Sequence, residues 1–285
     1  MEFHSPVLVN EVLNILNVNP GLVYIDATVG NGGHSLEILK KRGVVYGLDL
    51  DPNNLDIATN RITTLGLSAN FHPVHANFNQ LESLLGHQIP QNINGLLFDL
   101  GLSSGQLKGS GRGFSFNDPD SLDMRLDPQT QTLTAENIIN TYSADELYDF
   151  FTKFAQEIYS RPLITRIISQ RQHQPITSGQ RLGNIIRQFY AEKHLKTTTD
   201  PATKIFMALR IAVNGELDNL KIALEASLKL NSGCNVAVIS FHSGEDRIVK
   251  QFIRHHFPNL SSKAILPGRT NHPQPFQYRT YALGG

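Results

Sequence analysis

The sequence predicts a doubly wound α/β domain, a parallel sheet covered by helices on both faces, interrupted after its fourth strand by an all-helical insertion. Over the first hundred residues, short apolar runs of strand length alternate with helical periodicity. That alternation stops at 105–123, which is rich in Gly, Ser, Asp and Asn, and helical periodicity alone follows. A strand-type run then returns at Asn235–Phe241, with a helical pattern behind it.

Each element has its own reason. Val23–Asp26 is a short apolar run ending in an acid, followed by Gly30-Asn31-Gly32-Gly33. The next helix runs through Leu36, Ile38 and Leu39 until Gly43 stops it. Val44–Leu50 is rich in β-branched and apolar residues, and Asp51-Pro52 caps and starts a helix through Leu55, Ile57, Ala58, Ile62 and Leu65. Phe71–Val74 predicts a third strand, Phe78–Leu85 a short helix and Gly95–Leu100 a fourth strand. From Leu133 to Tyr190 the period is helical, with a break at Gln174-Pro175-Ile176-Thr177-Ser178; 202–230 reads as one long helical stretch. A helix through Ile248, Val249, Phe252 and Ile253 follows the last strong strand. The tail around Phe276, Tyr278, Tyr281 and Leu283 alternates like an edge strand. The expected division is therefore 1–107 with 201–285 for the sheet domain and 108–200 for the insertion.

Composition narrows the class. The chain has 285 residues, 40% hydrophobic and 18% charged, a globular balance. No apolar run approaches the roughly 20 residues needed to span a bilayer, and Met1-Glu2-Phe3-His4-Ser5-Pro6 lacks the basic-then-apolar pattern of a signal peptide. A single cysteine, Cys234, excludes an internal disulfide and a cysteine-based zinc site, and fits a reducing, cytoplasmic compartment. Net charge is zero but unevenly spread. Residues 1–100 carry four Lys/Arg against nine Asp/Glu, whereas 151–210 carry ten against three. Such asymmetry is either the footprint of a polyanionic partner or a solvated helical face.

Asp26-Ala27-Thr28-Val29-Gly30-Asn31-Gly32-Gly33 places an acid at a strand end and glycines in the following turn, where a ligand can approach the backbone. Asp49 closes the second strand and can accept hydrogen bonds from ribose hydroxyls. A dinucleotide dehydrogenase uses similar parts, but the third glycine of its G-x-G-x-x-G pattern falls at Ser35. Acids at three strand ends, Asp26, Asp49 and Asp99, suit a cationic ligand better than a pyrophosphate. Helix capping by Asp26 and Asp49 is the plain alternative.

The fourth strand and its turn, Leu96-Leu97-Phe98-Asp99-Leu100-Gly101-Leu102-Ser103-Ser104-Gly105-Gln106-Leu107, resemble the signature of the bacterial 16S ribosomal RNA cytosine-N4 methyltransferases, the MraW-like H-type small-subunit family. Further matches include His4-Ser5-Pro6-Val7-Leu8 with Glu11, the Asp26–Ser35 segment, Arg112-Gly113-Phe114-Ser115-Phe116, and Leu122-Asp123-Met124-Arg125-Leu126-Asp127-Pro128. Pro201-Ala202-Thr203-Lys204 through Arg210-Ile211-Ala212-Val213-Asn214 to Glu216-Leu217 matches as well. So does Ile239-Ser240-Phe241-His242-Ser243 with Glu245-Asp246-Arg247-Ile248-Val249-Lys250. Leu50 stands where the family has Arg, Ala155-Gln156-Glu157 where it has Gly-Glu-Glu, and Gly244 where it has Leu. The family's basic Asn-Pro-Arg-Ala-Arg-Ser tail has no counterpart in Arg269–Leu283, so the resemblance carries no RNA contact over to that segment.

The resemblance implies a class I Rossmann-like methyltransferase sheet with an inserted all-helical RNA-recognition domain. It implies S-adenosyl-L-methionine as cofactor, held at positions matching Gly32, Gly33, His34, Asp49, Phe78, Asp99 and Gln106. It further implies methylation of a cytidine amino group in the decoding region of 16S rRNA, within a small ribosomal subunit. A cytosine amine is a poor nucleophile, so acceptors that bond its protons assist transfer; Asp99 is the first candidate, with Asp123 and Asp246 behind it. The base must leave its stack, and Phe114 and Phe116 can stack on it or pack in a core. Arg161, Arg166 and Arg171 are candidates for the RNA backbone. No membrane and no metal are expected, since the pairs His72/His75 and His255/His256 lack further ligands. His242-Ser243 with Asp246 lacks the G-x-S-x-G setting of a hydrolase and reads as cleft lining. Oligomeric state stays open between monomer and homodimer. A non-catalytic RNA-binding or ribosome-assembly factor, and an amine methyltransferase acting on DNA or another RNA, remain the alternative readings.

Overall fold

Alternate side chains of the central strands point to opposite sides of one sheet, and each side has its own helices. The computed structural model describes residues 5–107, 110–155, 160–258 and 279–283. His4, Gln156, Glu157, Arg269, Phe276 and Tyr278 lie outside the described residues. The chain divides into two units, Met1–Ser103 with Leu217–Gly285, and Ser104–Glu216.

In the first unit, strands β1 (Val23–Asp26), β2 (Val44–Asp49), β3 (Phe71–His75), β4 (Gly95–Asp99), β5 (Asn235–Ser240) and β6 (Arg279–Leu283) form a sheet in the order β3-β2-β1-β4-β5-β6. The first five are parallel, and β6 runs antiparallel beside β5, with Tyr281 opposite Val238. That edge strand carries the expected tail as far as 279–283. Tyr24, Val45, Leu97, Ala237 and Ile239 meet helices α1 (Val9–Ile15), α2 (Gly33–Lys40) and α3 (Pro52–Thr64). Ile25, Leu48, Leu96, Phe98 and Val238 meet α4 (Leu81–Leu84) and the later helices α11 (Glu216–Ser227) and α12 (Ser243–His256). Helices on both faces explain why β4 is buried through Gly95, Leu96, Leu97 and Phe98 with no polar alternation. Asp51 caps α3 by accepting from the Asn53 amide, with Pro52 at the first helical position. Helix α1 was not expected; it is short, and its start at Leu8 has no side-chain cap.

The second unit is helical, as expected: α5 (Ser104–Leu107), α6 (Ala135–Thr141), α7 (Ala144–Phe150), a π-helical turn at Phe151–Ala155, α8 (Ser160–His173), α9 (Gly179–Glu192) and α10 (Ala202–Asn214). Thr134 and Ser143 begin α6 and α7 with reciprocal capping boxes, and Ser178 caps α9 within the predicted break.

Two expectations are corrected here. The stretch 202–230 is two helices, because Gly215 takes a left-handed φ of 62° after α10. Helix α10 also groups with the insertion instead of the sheet, so the boundary expected at 200/201 moves to 216/217. Long-range contacts are the reason: Phe206 meets Phe116 edge-on at 5.9 Å, and Asn214 donates to the Met124 carbonyl at 2.9 Å. Asn214 also accepts from the Leu126 amide at 2.9 Å. These contacts hold buried Met124 in a left-handed conformation, φ 64°, that a non-glycine residue rarely adopts.

Candidate active site

Three carboxylates end three adjacent strands, and each is held differently. Asp26, on β1, is 1% exposed; it accepts from Ser35 Oγ at 2.7 Å and from the Thr28 amide at 3.2 Å. Loss of hydration raises its pKa, with the Ser35 bond and His34 opposing. Asp26 thus ties β1 to α2 and shapes the glycine turn. Within that turn Gly32 has φ +76°, and a Cβ there would sit 3.1 Å from the Ala58 methyl on α3. Any side chain at 32 would be strained and crowded.

Asp49, on β2, accepts from the Gly30 amide (2.8 Å), the Asp51 amide (2.8 Å) and Asn54 Nδ2 (3.2 Å). Burial raises its pKa to about 6, with the Asp51 charge adding and the three donors opposing. A carboxylate has about four acceptor positions, so roughly one remains for a ligand hydroxyl. The Gly30 N–H is likewise committed to Asp49, which removes a turn amide that a pyrophosphate would need.

Asp99, on β4, is the least satisfied of the three. Its amide donates to Thr28 Oγ1 at 2.7 Å, and its Oδ2 lies 3.4 Å from His34 Nε2. Its Oδ1 is buried with no hydrogen-bond partner among the described residues. Such an orphan acceptor costs about 1–3 kcal/mol. His34, on α2, is 5% exposed; burial pulls its pKa down, but Asp99, Asp26 and Glu37 outweigh this and the net shift is upward. Half-buried Phe78 meets Phe98 edge-on at 5.9 Å. The set fits a cationic nucleoside cofactor: a crowded glycine turn for close approach, a nearly filled acid for a hydroxyl, and an unsatisfied acid beside them.

The remaining sequence-predicted residues are placed as follows. Gly33 follows Gly32 at the start of α2, where a Cβ would lie 3.1 Å from Pro6. Gln106 belongs to the second unit and is 4% exposed. Asp123 makes a two-point ion pair with Arg125, at 2.6 and 2.7 Å. Although burial opposes it, the Arg125 bonds hold the Asp123 carboxyl below the usual range. Asp246 is paired with Lys250 at 2.9 Å. Phe114 is buried at 6% exposure, and Phe116 is covered by Arg187, 4.9 Å from its ring centre. Phe114 is thus buried, and partly buried Phe116 packs between Arg187 and Phe206 of the insertion. Arg161 lies 4.1 Å over the Tyr148 ring. Arg166 pairs with Glu192, and Arg171 donates to the Ile139 and Tyr142 carbonyls at 2.6 Å each.

Sequence reading overlooked Thr28, Asn54 and Ser103, which orient the acids: Ser103 Oγ donates to Asn54 Oδ1 at 3.0 Å. Its only signal is that Asn54 follows the cap Asp51 by three positions. His242 is a helix cap: its Nδ1 accepts from the Gly244 and Glu245 amides, while Glu245 accepts from the His242 amide. The His-x-x-Glu spacing was the available signal.

A doubly wound sheet that gathers carboxylates around a glycine turn at its strand ends defines a class I, S-adenosylmethionine-dependent methyltransferase. The chain belongs to the MraW methylase family, whose model matches residues 1–278. It is 39% identical over 257 residues to the ribosomal RNA small subunit methyltransferase H of Caldicellulosiruptor saccharolyticus, covering 89% of this chain and 82% of that one. To the protein of the same name in Carboxydothermus hydrogenoformans it is 42% identical over 262 residues, 89% and 81% of the two chains. Among solved structures, an rRNA methylase from Streptococcus thermophilus aligns with 100% of this chain and 98% of its own, at 12% identity and a TM-score of 0.42. Among the described residues no helix is long and apolar enough to cross a membrane.

Proposed function

We propose that the chain methylates the N4 amine of a cytidine in the decoding region of 16S rRNA, using S-adenosylmethionine. The family relatives are named for small-subunit ribosomal RNA, which supports the substrate class. The observation that carries the chemistry is the buried, unpartnered Oδ1 of Asp99.

The cofactor supplies an electrophilic methyl group on a sulfonium. Asp49 accepts from a ribose hydroxyl, the turn that Gly32 and Gly33 make possible presents backbone beside it, and Phe78 covers the adenine. Asp99 accepts a hydrogen bond from the N4 amine of the cytosine, which draws the nitrogen lone pair out of conjugation and stabilises the positive charge that develops there; its carboxylate then takes the proton that N4 loses once methylated. His34 balances the Asp99 charge before substrate arrives. The cytidine must be unstacked to reach this depth. Asp123 and Asp246, each already ion-paired, are structural acids in this reading.

Nucleoside analysis by mass spectrometry of small-subunit RNA from a strain lacking the gene tests the proposal. N4-methylated cytidine disappears if it holds; an unchanged nucleoside profile sinks it.

A further inference from the structure

Helix α12 has two faces of opposite character. Glu245, Ile248, Val249, Phe252 and Ile253 are buried in the sheet unit, while Ser243, Arg247, Gln251 and Arg254 are exposed. The exposed positions recur at three- and four-residue steps, so they make one stripe. With Asp246 and Lys250 they line an open groove of about 270 Å³. Its one acid, Asp246, is held by Lys250 at 2.9 Å, an i,i+4 pair along the helix. Arg247 and Arg254 have no hydrogen-bond or ion-pair partner among the described residues.

Helix energetics account for only one of these arginines. Arg254 stands in the last turn, where the macrodipole favours a cation. Arg247 stands near the other end, behind Glu245 and Asp246, where the dipole gives no reason for one. The groove therefore presents two uncommitted guanidinium groups about 10 Å apart along the axis, at 1.5 Å per residue. Gln251 separates them and Ser243 precedes them, with no exposed apolar side chain in the stripe. A lipid surface would need apolar groups beside the cations; a phosphodiester chain needs only cations and hydrogen-bond donors at intervals.

We propose that the α12 groove receives the sugar-phosphate backbone of the RNA substrate, with Arg247 and Arg254 each contacting a separate phosphate. The proposal rests on the RNA-methylation reading and adds to it a backbone contact on the sheet unit, outside the helical insertion. Lys250, half-committed to Asp246, contributes attraction without geometry, and the Ser243 hydroxyl supplies a further donor.

The test uses the full chain with both arginines replaced, Arg247→Gln and Arg254→Gln, which keeps side-chain length and removes charge. Fluorescence anisotropy measures binding of a labelled twelve-nucleotide uridine RNA and of transcribed small-subunit RNA across a salt series. The slope of log affinity against log salt for the single strand is expected to shrink by about 1.4, or ~0.7 per lost phosphate contact. Cofactor affinity and melting temperature stay at wild-type values. An unchanged slope, with wild type methylating small-subunit RNA, overturns the groove and leaves the proposed function standing. A reduced slope with no methyl transfer by wild type leaves the groove standing and removes the proposed function. Wild-type protein that binds neither RNA overturns both.

Discussion

The inserted unit and the sheet unit use their charges in opposite ways. In the insertion, charged groups hold the insertion together. Arg125 pairs with Asp123, Arg166 with Glu192, Arg187 with Asp200 and Arg210 with Glu216, while Arg171 clamps two carbonyls at the end of α6. The sheet unit has surface pairs too, such as Lys229 with Glu82 and Lys221 with Asp218. Its distinctive charges, however, have no partner among the described residues: Asp99 Oδ1 inside, Arg247 and Arg254 outside. A count of basic residues points to 151–210 for the polyanion; partner geometry points to α12. The lesson is that a charge contributes to recognition only if folding has not already used it. Among the described residues, Lys193, Lys196 and Lys204 are exposed and remain as open cations of the insertion.

The comparison breaks first at Asp99. Asp99→Asn keeps an acceptor and removes the charge, so single-turnover methyl transfer at saturating cofactor and RNA is expected to fall tenfold to a thousandfold, about 1.4–4 kcal/mol in the barrier. A chemical step as fast as wild type would assign Asp99 to cofactor binding alone.

Arg171→Met is the counterpart in the insertion. Two charge-assisted bonds vanish and the Ile139 and Tyr142 carbonyls lose a donor, so urea denaturation should show a loss of about 2–4 kcal/mol. The salt slope of RNA binding stays at the wild-type value. A reduced slope without loss of stability would return Arg171 to the RNA backbone.

Asp123→Asn separates a structural acid from a catalytic one. Breaking its two-point pair with Arg125 is expected to cost about 1–3 kcal/mol, with the chemical step close to wild type. Because the Asp123 pKa is depressed, its contribution is complete above the ordinary carboxylate range and is lost as pH falls through the depressed value. Thermal melts of wild type and Asp123→Asn should therefore converge in acid; a constant gap down to strongly acidic pH would contradict the pairing.

The smallest effect concerns Asp49. Its folded pKa of about 6 lies above the unfolded value, so its stabilising contribution to the free protein is full in acid and lost as pH rises through 6. Cofactor binding has the opposite sign, since the ribose hydroxyl needs the ionised carboxylate. Affinity by calorimetry is expected to drop about fourfold between pH 7.5 and 5.5. Flat affinity over that range would mean that Asp49 does not touch the ribose.

Local patterns read well because their causes are local. Val23–Asp26 matches β1 residue for residue, Asp51-Pro52 does start α3, and Ser178 does cap the helix after the predicted break. The resemblance supplied the positions of Asp49 and Asp99, but not what holds them. Thr28, Asn54 and Ser103 are ordinary polar residues in a sequence, and only the fold turns them toward the acids.

By itself, then, the sequence determined the five parallel strands, most of the helices, the glycine turn, the strand-end acids and the family, because periodicity, capping and motif spacing act over a few residues. Tertiary structure alone decided that α10 sides with the insertion, since the contacts of Phe206 and Asn214 span some 90 residues. It also decided which charges stay open. Pairing depends on what lies within about 4 Å in space, and Arg166 and Glu192 are 26 residues apart. No composition count can see that Arg171 is committed while Arg254 has no partner among the described residues.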